Sequence, residues 1–350
     1  MTKISIFCSL EILTQELQLT QNTLKNLGKY TMKLEDNGFY TLSDARCVSA
    51  THETNLMRCE LILTDACNFS CKYCRGQRKD LKKNLTYEEA LNIVNLWISQ
   101  GLTNVRFSGG EPTLWKGLEN LVRHCKKNNV QHIAVSSNGS ASIELYDRLI
   151  EAGVNDFSIS LDACCASFGD LMAGKAGVWD KVVNCISHVS KKVYTTVGIV
   201  VTEETVHTLK DVVMFAADLG VADIRIISAA QFNQMLDVAN TIPQSVYDKY
   251  PILKYRINNT FNNINVRGIQ ETDSHKCWIA LDDMVVAGDY HFPCVIYMRE
   301  QGNPIGKVGP NMREERRDWV KNHDTHSDPI CKKNCLDCII LYNKKFEEKM

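Results

Sequence analysis

The sequence predicts an α/β fold, with a parallel sheet and outer helices over residues 58–235 and a small cysteine-rich domain over 236–350. Three observations carry this reading. Short apolar runs alternate with amphipathic runs six times in succession. The rhythm breaks after about residue 235. Five of the 15 cysteines then fall between Lys276 and the end of the sequence. Strands joined in turn through helices argue for a parallel sheet, because parallel neighbours need such a crossover whereas an antiparallel pair can be joined by a tight turn.

Residues 1–57 precede the alternation and do not share it. "ILTQELQLTQNTLKNLGKY" has helical spacing in part, and "KLEDNGFYTLSD" reads as a hairpin around Asp36-Asn37-Gly38. The first strand is "CELILT" (59–64), and "TYEEALNIVNLWISQG" (86–101) is a helix closed by Gly101. The strand "NVRFS" (104–108) leads to the helix "LENLVRHCKKN". "HIAVSS" (132–137) leads to "SIELYDRLIEAG", and "DFSISLD" (156–162) to "VWDKVVNCISHVSKK". "VYTTVGIVV" (193–201) leads to "TVHTLKDVVMFAADLG", and "ADIRIIS" (222–228) ends the series. Right-handed crossovers follow for each unit. The pattern suits a partial barrel and a doubly wound sheet equally, and both gather ligands at the C-terminal ends of the strands.

Composition narrows the function. The formal net charge is -1 with 23% charged residues, so no global basic field points to nucleic acid or anionic membrane. No uncharged run approaches the ~20 residues of a membrane helix. Glu11 and Glu16 interrupt the apolar start, so no signal peptide is expected and the protein reads as cytoplasmic. Disulfides are disfavoured there, and clustered cysteines point to metal or redox chemistry. Cys8, Cys47, Cys59, Cys125 and Cys185 are scattered and read as small buried hydrophobes, as do Cys164 and Cys165.

"CNFSCKYC" places Cys67, Cys71 and Cys74 on the loop leaving the first strand. A closed zinc site takes four protein ligands. Three thiolates on one short loop suit a cubane iron–sulfur cluster with one iron left to other ligands. The later strand ends carry "FSGGEPTL", "SSNGS" and "SISLD", in that order. Together these four motifs resemble those of the radical S-adenosylmethionine superfamily, over roughly residues 58–230.

The resemblance implies a partial (β/α)6 barrel, a [4Fe-4S] cluster on Cys67, Cys71 and Cys74, and S-adenosylmethionine on the open iron. It implies cofactor-binding roles for Tyr73, Gly109, Gly110, Glu111, Ser137, Asn138, Ser160 and Asp162. Gly109 and Gly110 would let backbone approach the methionine amino group. Glu111 would accept from that ammonium or brace the loop. Each polar residue also has an ordinary reading as a turn or cap former. Val200 and Val201 could pack on the adenine. Arg225 needs a carboxylate partner or a ligand if it points inward.

The tail, "CWIALDDMVVAGDYHFPC" and then "CKKNCLDC", resembles the SPASM and twitch extensions, where a hairpin and a later cysteine loop hold an auxiliary [4Fe-4S] cluster. Here the gap from Gly288 to Cys294 is one residue longer than usual. Five cysteines, Cys277, Cys294, Cys331, Cys335 and Cys338, suffice for one cubane and not two. Cys277, Cys294, Cys335 and Cys338 are the preferred set, with Cys331 as alternate. Structural zinc is the competing reading, and His291, His323 and His326 lie near these cysteines in sequence. The resemblance further implies a reductant such as flavodoxin or ferredoxin. It implies a peptide or protein side chain as substrate, with a small metabolite or nucleotide as the alternative. A non-catalytic metal-binding adaptor is the non-enzyme reading.

Overall fold

In a computed structural model, residues 50–76, 78–230 and 237–350 are described. The expected N-terminal helix and the hairpin at Asp36-Asn37-Gly38 lie outside them, as do Cys8 and Cys47. Six parallel strands form first: β1 (Arg58–Thr64), β2 (Asn104–Gly109), β3 (His132–Ser137), β4 (Asp156–Ser160), β5 (Tyr194–Val201) and β6 (Asp223–Ser228). Between them run α1 (Tyr87–Ser99), α2 (Leu118–Lys127), α3 (Ile143–Ala152), α4 (Ala166–Ala173), α5 (Trp179–Val189) and α6 (Leu209–Asp218). The first helix starts where the sequence directs it: Thr86 and Glu89 form a reciprocal capping box. Helix α4 was not expected. Its "ASFGDLMA" is short and lacks a long apolar period, and Gly174 ends it in the left-handed region at φ 64°.

The sheet stays open, with strand order β6-β5-β4-β3-β2-β1, continued beyond β1 by three strands of the C-terminal segment. Strand β7 (Asp283–Ala287) pairs parallel with β1, and β8 (Tyr290–Phe292) folds back on β7 through a turn at Gly288, φ 58°. The two-residue strand β9 (Gly306–Lys307) closes the order. Strand β1 is therefore central, which suits its almost unbroken burial.

Alternation across the strands separates two surfaces. On one face, Leu61, Phe107, Val135 and Phe157 align in register, as do Ile159, Val197 and Ile224 one step along, and all pack under the helices in the main core. On the other, Glu60 is opposite Arg106, Ser136 opposite Ser158, and Gly198 opposite Arg225. That second face is polar and lines a cleft.

Two short helices, α7 (Gln244–Tyr247) and α8 (Pro251–Phe261), follow the sixth strand. Asp223 on β6 accepts from the backbone N–H groups of Ile252 (3.0 Å) and Leu253 (3.5 Å), capping α8 from another element. The tail adds α9 (Val295–Arg299), α10 (Met312–Asn322), α11 (Pro329–Asn334) and α12 (Asp337–Glu347). Helices α10 and α12 share a second apolar cluster built on Ile279, Leu281, Val320, Tyr342 and Phe346, and α9 packs in a third with Val285 and Phe292. Two buried arginines bind this segment together. Arg256 of α8 pairs with Asp337. Arg316 donates to the carbonyls of Ala280 (2.7 Å), Phe292 (2.9 Å) and Asp283. Among the described residues, no helix is long and apolar enough to cross a membrane.

Candidate active site

The cysteine loop leaves β1 at Thr64 and is strapped on two sides. On one side, Thr64 O accepts from Gly110 N (2.7 Å) and Ala66 O from Glu111 N (2.8 Å). On the other, Ser70 N donates to Ala173 O at the end of α4 (2.8 Å). The unexpected helix is thus part of what holds the loop.

The glycine pair acts within this strap. A Cβ on Gly109 (φ 155°) would lie 2.3 Å from Thr64 O, and one on Gly110 would lie 2.4 Å from Ala66 O. Close approach is needed here, and the approaching group is the chain's own backbone. Glu111 is fully buried, and both carboxylate oxygens are occupied. Oε1 accepts from Thr113 N (3.1 Å), Thr113 Oγ1 (2.6 Å) and Ser137 Oγ (2.9 Å), and Oε2 from Asn138 N (2.7 Å). Burial pushes its pKa up against the pull of these bonds. Of the two roles offered by the sequence, the geometry provides the brace, joining the ends of β2 and β3.

Asn138 reaches back to the cysteine loop. Its Nδ2 donates to Asn68 Oδ1 (2.9 Å) and lies 3.8 Å from Cys67 Sγ. Gly139 follows at φ 78°, so the turn reading of this pair also holds. Tyr73 and Asp162 meet directly: the phenol donates to Asp162 Oδ2, while Oδ1 accepts from Val200 N (2.9 Å). Asp162 therefore clamps a neighbouring strand and does not cap a helix. Burial pushes its carboxyl up to about 6. Ser160 is exposed at the end of β4. Val200 faces the cleft, whereas Val201 is buried in the core.

Cys67, Cys71 and Cys74 are free thiols, exposed or half-buried, and all three line a cleft of about 1770 Å³ including its mouth. Gly109, Gly110, Ser137, Asn138, Ser160 and Asp162 line the same cleft. Phe69 N and Gly76 N point at Cys67 Sγ (3.5 Å) and Cys74 Sγ (3.4 Å), hydrogen bonds that favour thiolates and tune a cluster's potential. Burial, then Asp162 and the other two thiols, push Cys71 up to about 12. Among the described residues, no other cysteine and no histidine lines this cleft. Three convergent thiols without a fourth fit a four-iron cluster better than a closed zinc site. Cys164 and Cys165 are buried in the main core and do not line the cleft.

A second pocket, of about 540 Å³, lies in the C-terminal segment. Cys277, Cys294, Cys331 and Cys335 line it, with Tyr297 and Trp319. The fifth tail cysteine, Cys338, is outside this lining, its Sγ 3.9 Å from Arg256 Nη2. The structure therefore groups Cys331 with the others where the sequence preferred Cys338. His323 comes within 3.6 Å of Cys331 Sγ, and His323, Asp328 and Cys331 could together hold a metal ion. His291 is buried against Glu315 (2.8 Å), and His326 stacks on His275, so neither belongs to the pocket lining.

The cleft also holds residues that sequence reasoning missed: Glu60, Arg75, Arg106, Arg267 and Arg299, beside the suspected Arg225. Glu60 and Arg106 interrupt apolar strands at the inward parity, which is a readable signal. Arg267 and Arg299 arrive from the tail and carry none.

A model of the Radical SAM superfamily matches residues 61–216. Among curated proteins, the chain is 34% identical over 145 residues to Molybdenum cofactor biosynthesis protein 1 of Dictyostelium discoideum, covering 40% of this chain and 22% of that protein. It is 25% identical over 222 residues to a probable GTP 3',8-cyclase of Sulfurisphaera tokodaii, covering 59% and 71%. A probable GTP 3',8-cyclase of Metallosphaera sedula matches at 25% over 169 residues, 47% and 53%. The chain thus spans less than two thirds of two of these three relatives. Among solved structures, Streptococcus suis SuiB bound to precursor peptide SuiA superposes with a TM-score of 0.57 at 14% identity, covering 93% of this chain and 78% of that one. anSMEcpe with bound AdoMet superposes with a TM-score of 0.55 at 15% identity, covering 84% and 92%. At such identities these two speak for the fold, a partial barrel with an open sheet. The family match spans the cysteine loop and the strand ends beside it, so residues 61–216, a little under half of the chain, are similar to the Radical SAM superfamily.

Proposed function

We propose that the protein is a radical S-adenosylmethionine enzyme that takes a hydrogen atom from a substrate seated in the barrel cleft. The observation that carries this is the convergence of Cys67, Cys71 and Cys74 on a cleft lined by the strand-end motifs. Cys67, Cys71 and Cys74 would hold a [4Fe-4S] cluster, which would supply the electron for reductive cleavage of S-adenosylmethionine to methionine and a 5′-deoxyadenosyl radical.

The chain's own residues do the positioning. The Gly109-Gly110 strap fixes the cysteine loop against β1. Glu111 ties that strap to Ser137 and Asn138, and Asn138 ties it back to Asn68. Tyr73, Asp162, Ser160 and Val200 face the same cleft and are the groups we assign to cofactor binding. Cys277, Cys294, Cys331 and Cys335 would hold the auxiliary [4Fe-4S] cluster, in the manner of a SPASM or twitch extension. A flavodoxin or ferredoxin would supply the electron in the cytoplasm.

The substrate is a peptide or protein side chain in one reading and a small metabolite or nucleotide in the other. The charged lining of the cleft favours the second, and the cyclases among the curated relatives agree with it.

The test is anaerobic. Reconstituted protein should hold about eight irons per chain and form 5′-deoxyadenosine from S-adenosylmethionine and dithionite. Alanine at Cys67, Cys71 and Cys74 should remove about half the iron and all cleavage. Cleavage that survives this triple change refutes the proposal.

A further inference from the structure

Five guanidinium groups face the barrel cleft: Arg75, Arg106, Arg225, Arg267 and Arg299. The same lining holds two carboxylates, and both are engaged. Glu60 accepts from Ser108 Oγ (2.6 Å), and Asp162 from Tyr73 and Val200 N. Outside the lining, Glu300 pairs with Arg75, and Asp156 lies 3.9 Å from Arg106. The remaining three arginines have no carboxylate at ion-pair distance among the described residues.

Their other contacts are few. Arg225 offers Nη2 to Ser158 Oγ (3.5 Å), while its Nε and that of Arg299 are buried without a hydrogen-bond partner. Arg267 is 5% exposed and donates to two main-chain carbonyls, of Ser228 (3.1 Å) and Asn334 (3.5 Å). Burial, then repulsion from neighbouring arginines, pulls both Arg225 and Arg267 down to about 10. Elsewhere the chain satisfies such groups: Arg256 has Asp337, and Arg316 has a ring of carbonyls. Asp156 and Asp337 reach Arg225 and Arg267 only from beyond ion-pair distance, and each pairs more closely with another arginine. A buried guanidinium without a close counter-charge is unfavourable, and a planar donor fork matches carboxylate and phosphate oxygens.

We propose that the substrate of this cleft carries an oxyanion, a carboxylate or a phosphate, held by Arg225 from the sheet together with Arg267 and Arg299 from the C-terminal segment. The word substrate rests on the radical reaction proposed above, whereas the binding of the oxyanion does not. The arrangement also gives the C-terminal segment a part in recognition, because two of the three arginines come from it.

The experiment uses the full reconstituted chain, saturated with S-adenosylmethionine, titrated anaerobically in a calorimeter with tripolyphosphate in one arm and citrate in the other. At least one anion should bind saturably at one site per chain, and the tighter arm identifies phosphate or carboxylate. Arg225→Gln and Arg299→Gln should each weaken binding roughly tenfold to a hundredfold. Lys210→Gln, an exposed position on α6, should leave it unchanged. Arg267→Gln removes two buried backbone bonds and is read only beside a thermal melt, so the other two variants decide. Binding of neither anion overturns the inference, as does unchanged binding in both variants. A variant that loses affinity for S-adenosylmethionine and keeps its anion affinity overturns it too, by assigning the arginine to the cofactor. Protein that cleaves S-adenosylmethionine but binds no oxyanion refutes this inference alone. Protein that binds the anion without cleaving refutes the radical reaction alone.

Discussion

Glu111→Gln separates a bracing carboxylate from one that holds a ligand. In the structure four donors of the chain itself converge on the two oxygens of Glu111. An amide in the same place must aim its NH2 either at Asn138 N–H or at the Thr113 and Ser137 donors. The smaller loss is the Asn138 bond, at 2.7 Å the only one on Oε2. A hydrogen bond to a buried charge contributes about 1.5–3 kcal/mol, and leaving its donor orphaned costs a further ~1 kcal/mol or more. The expected destabilisation is about 3 kcal/mol, which lowers the melting temperature of a chain this long by roughly 4 °C. Because the lost bond joins β3 to the strap on the cysteine loop, iron bound on reconstitution should fall as well. The assays are a thermal melt of the metal-free protein and an iron count after loading. A variant that melts as the wild type does and holds full iron, but loses affinity for S-adenosylmethionine, would refute the bracing role.

Gly110→Ala drives a Cβ to 2.4 Å from Ala66 O, and backbone on both sides leaves no cheap relief, so about 1–3 kcal/mol of stability should be lost. Gly198→Ala, whose Cβ meets the Arg225 side chain at an ordinary 3.4 Å, should lose much less in the same melt. In the tail, Cys331→Ala should remove about four irons, while Cys338→Ala should retain them; the reverse pattern in an iron assay would restore Cys338 to the ligand set. Burial pushes Asp223 up to about 7, above the ordinary value of 3.8. The folded state therefore holds a proton between about pH 4 and pH 7 that the unfolded state has released, and its stability falls as pH rises through that window. Asp223→Asn, which keeps an acceptor for α8, should gain about 2 kcal/mol on the wild type between pH 5 and pH 7. Parallel melting curves for the two proteins across that range would exclude the linkage.

Six βα units were legible because their strands carry dense apolar runs and their helices a clear period. The inward parity of Glu60 and Arg106 was legible in principle, as polar residues breaking apolar strands. What stayed hidden was set by distant partners. Nothing in "ASFGDLMA" announces a helix until it is seen packed under the cysteine loop. The highly charged "MREERRDWVKN" forms α10 because Arg316 finds main-chain carbonyls on three other segments. Spacing could not choose between Cys331 and Cys338. The choice follows from Asp337, which Arg256 and Asn259 hold, turning its neighbour Cys338 toward α8 and away from the pocket. The cysteine triplet was evident from the sequence, whereas Arg267 and Arg299, which line the same cleft from the C-terminal segment, carry no signal until that segment is folded.

The pairing of β1 with β7 bears on how the protein is made. Arg58 and Asp283, ion-paired across this junction at 3.2 Å, are 225 residues apart in the chain. Until the ribosome has delivered that second strand, β1 is a bare sheet edge with unpaired backbone groups, and it carries the thiol loop at its end. Exposed edges of this kind invite wrong pairing, and partners so far apart in sequence come together late. Iron delivered to the nascent chain would meet three cysteines on an unsupported strand. If the proposed clusters form, metal insertion is best timed after release, and truncation anywhere before residue 283 should abolish iron loading at Cys67, Cys71 and Cys74 as well as in the tail.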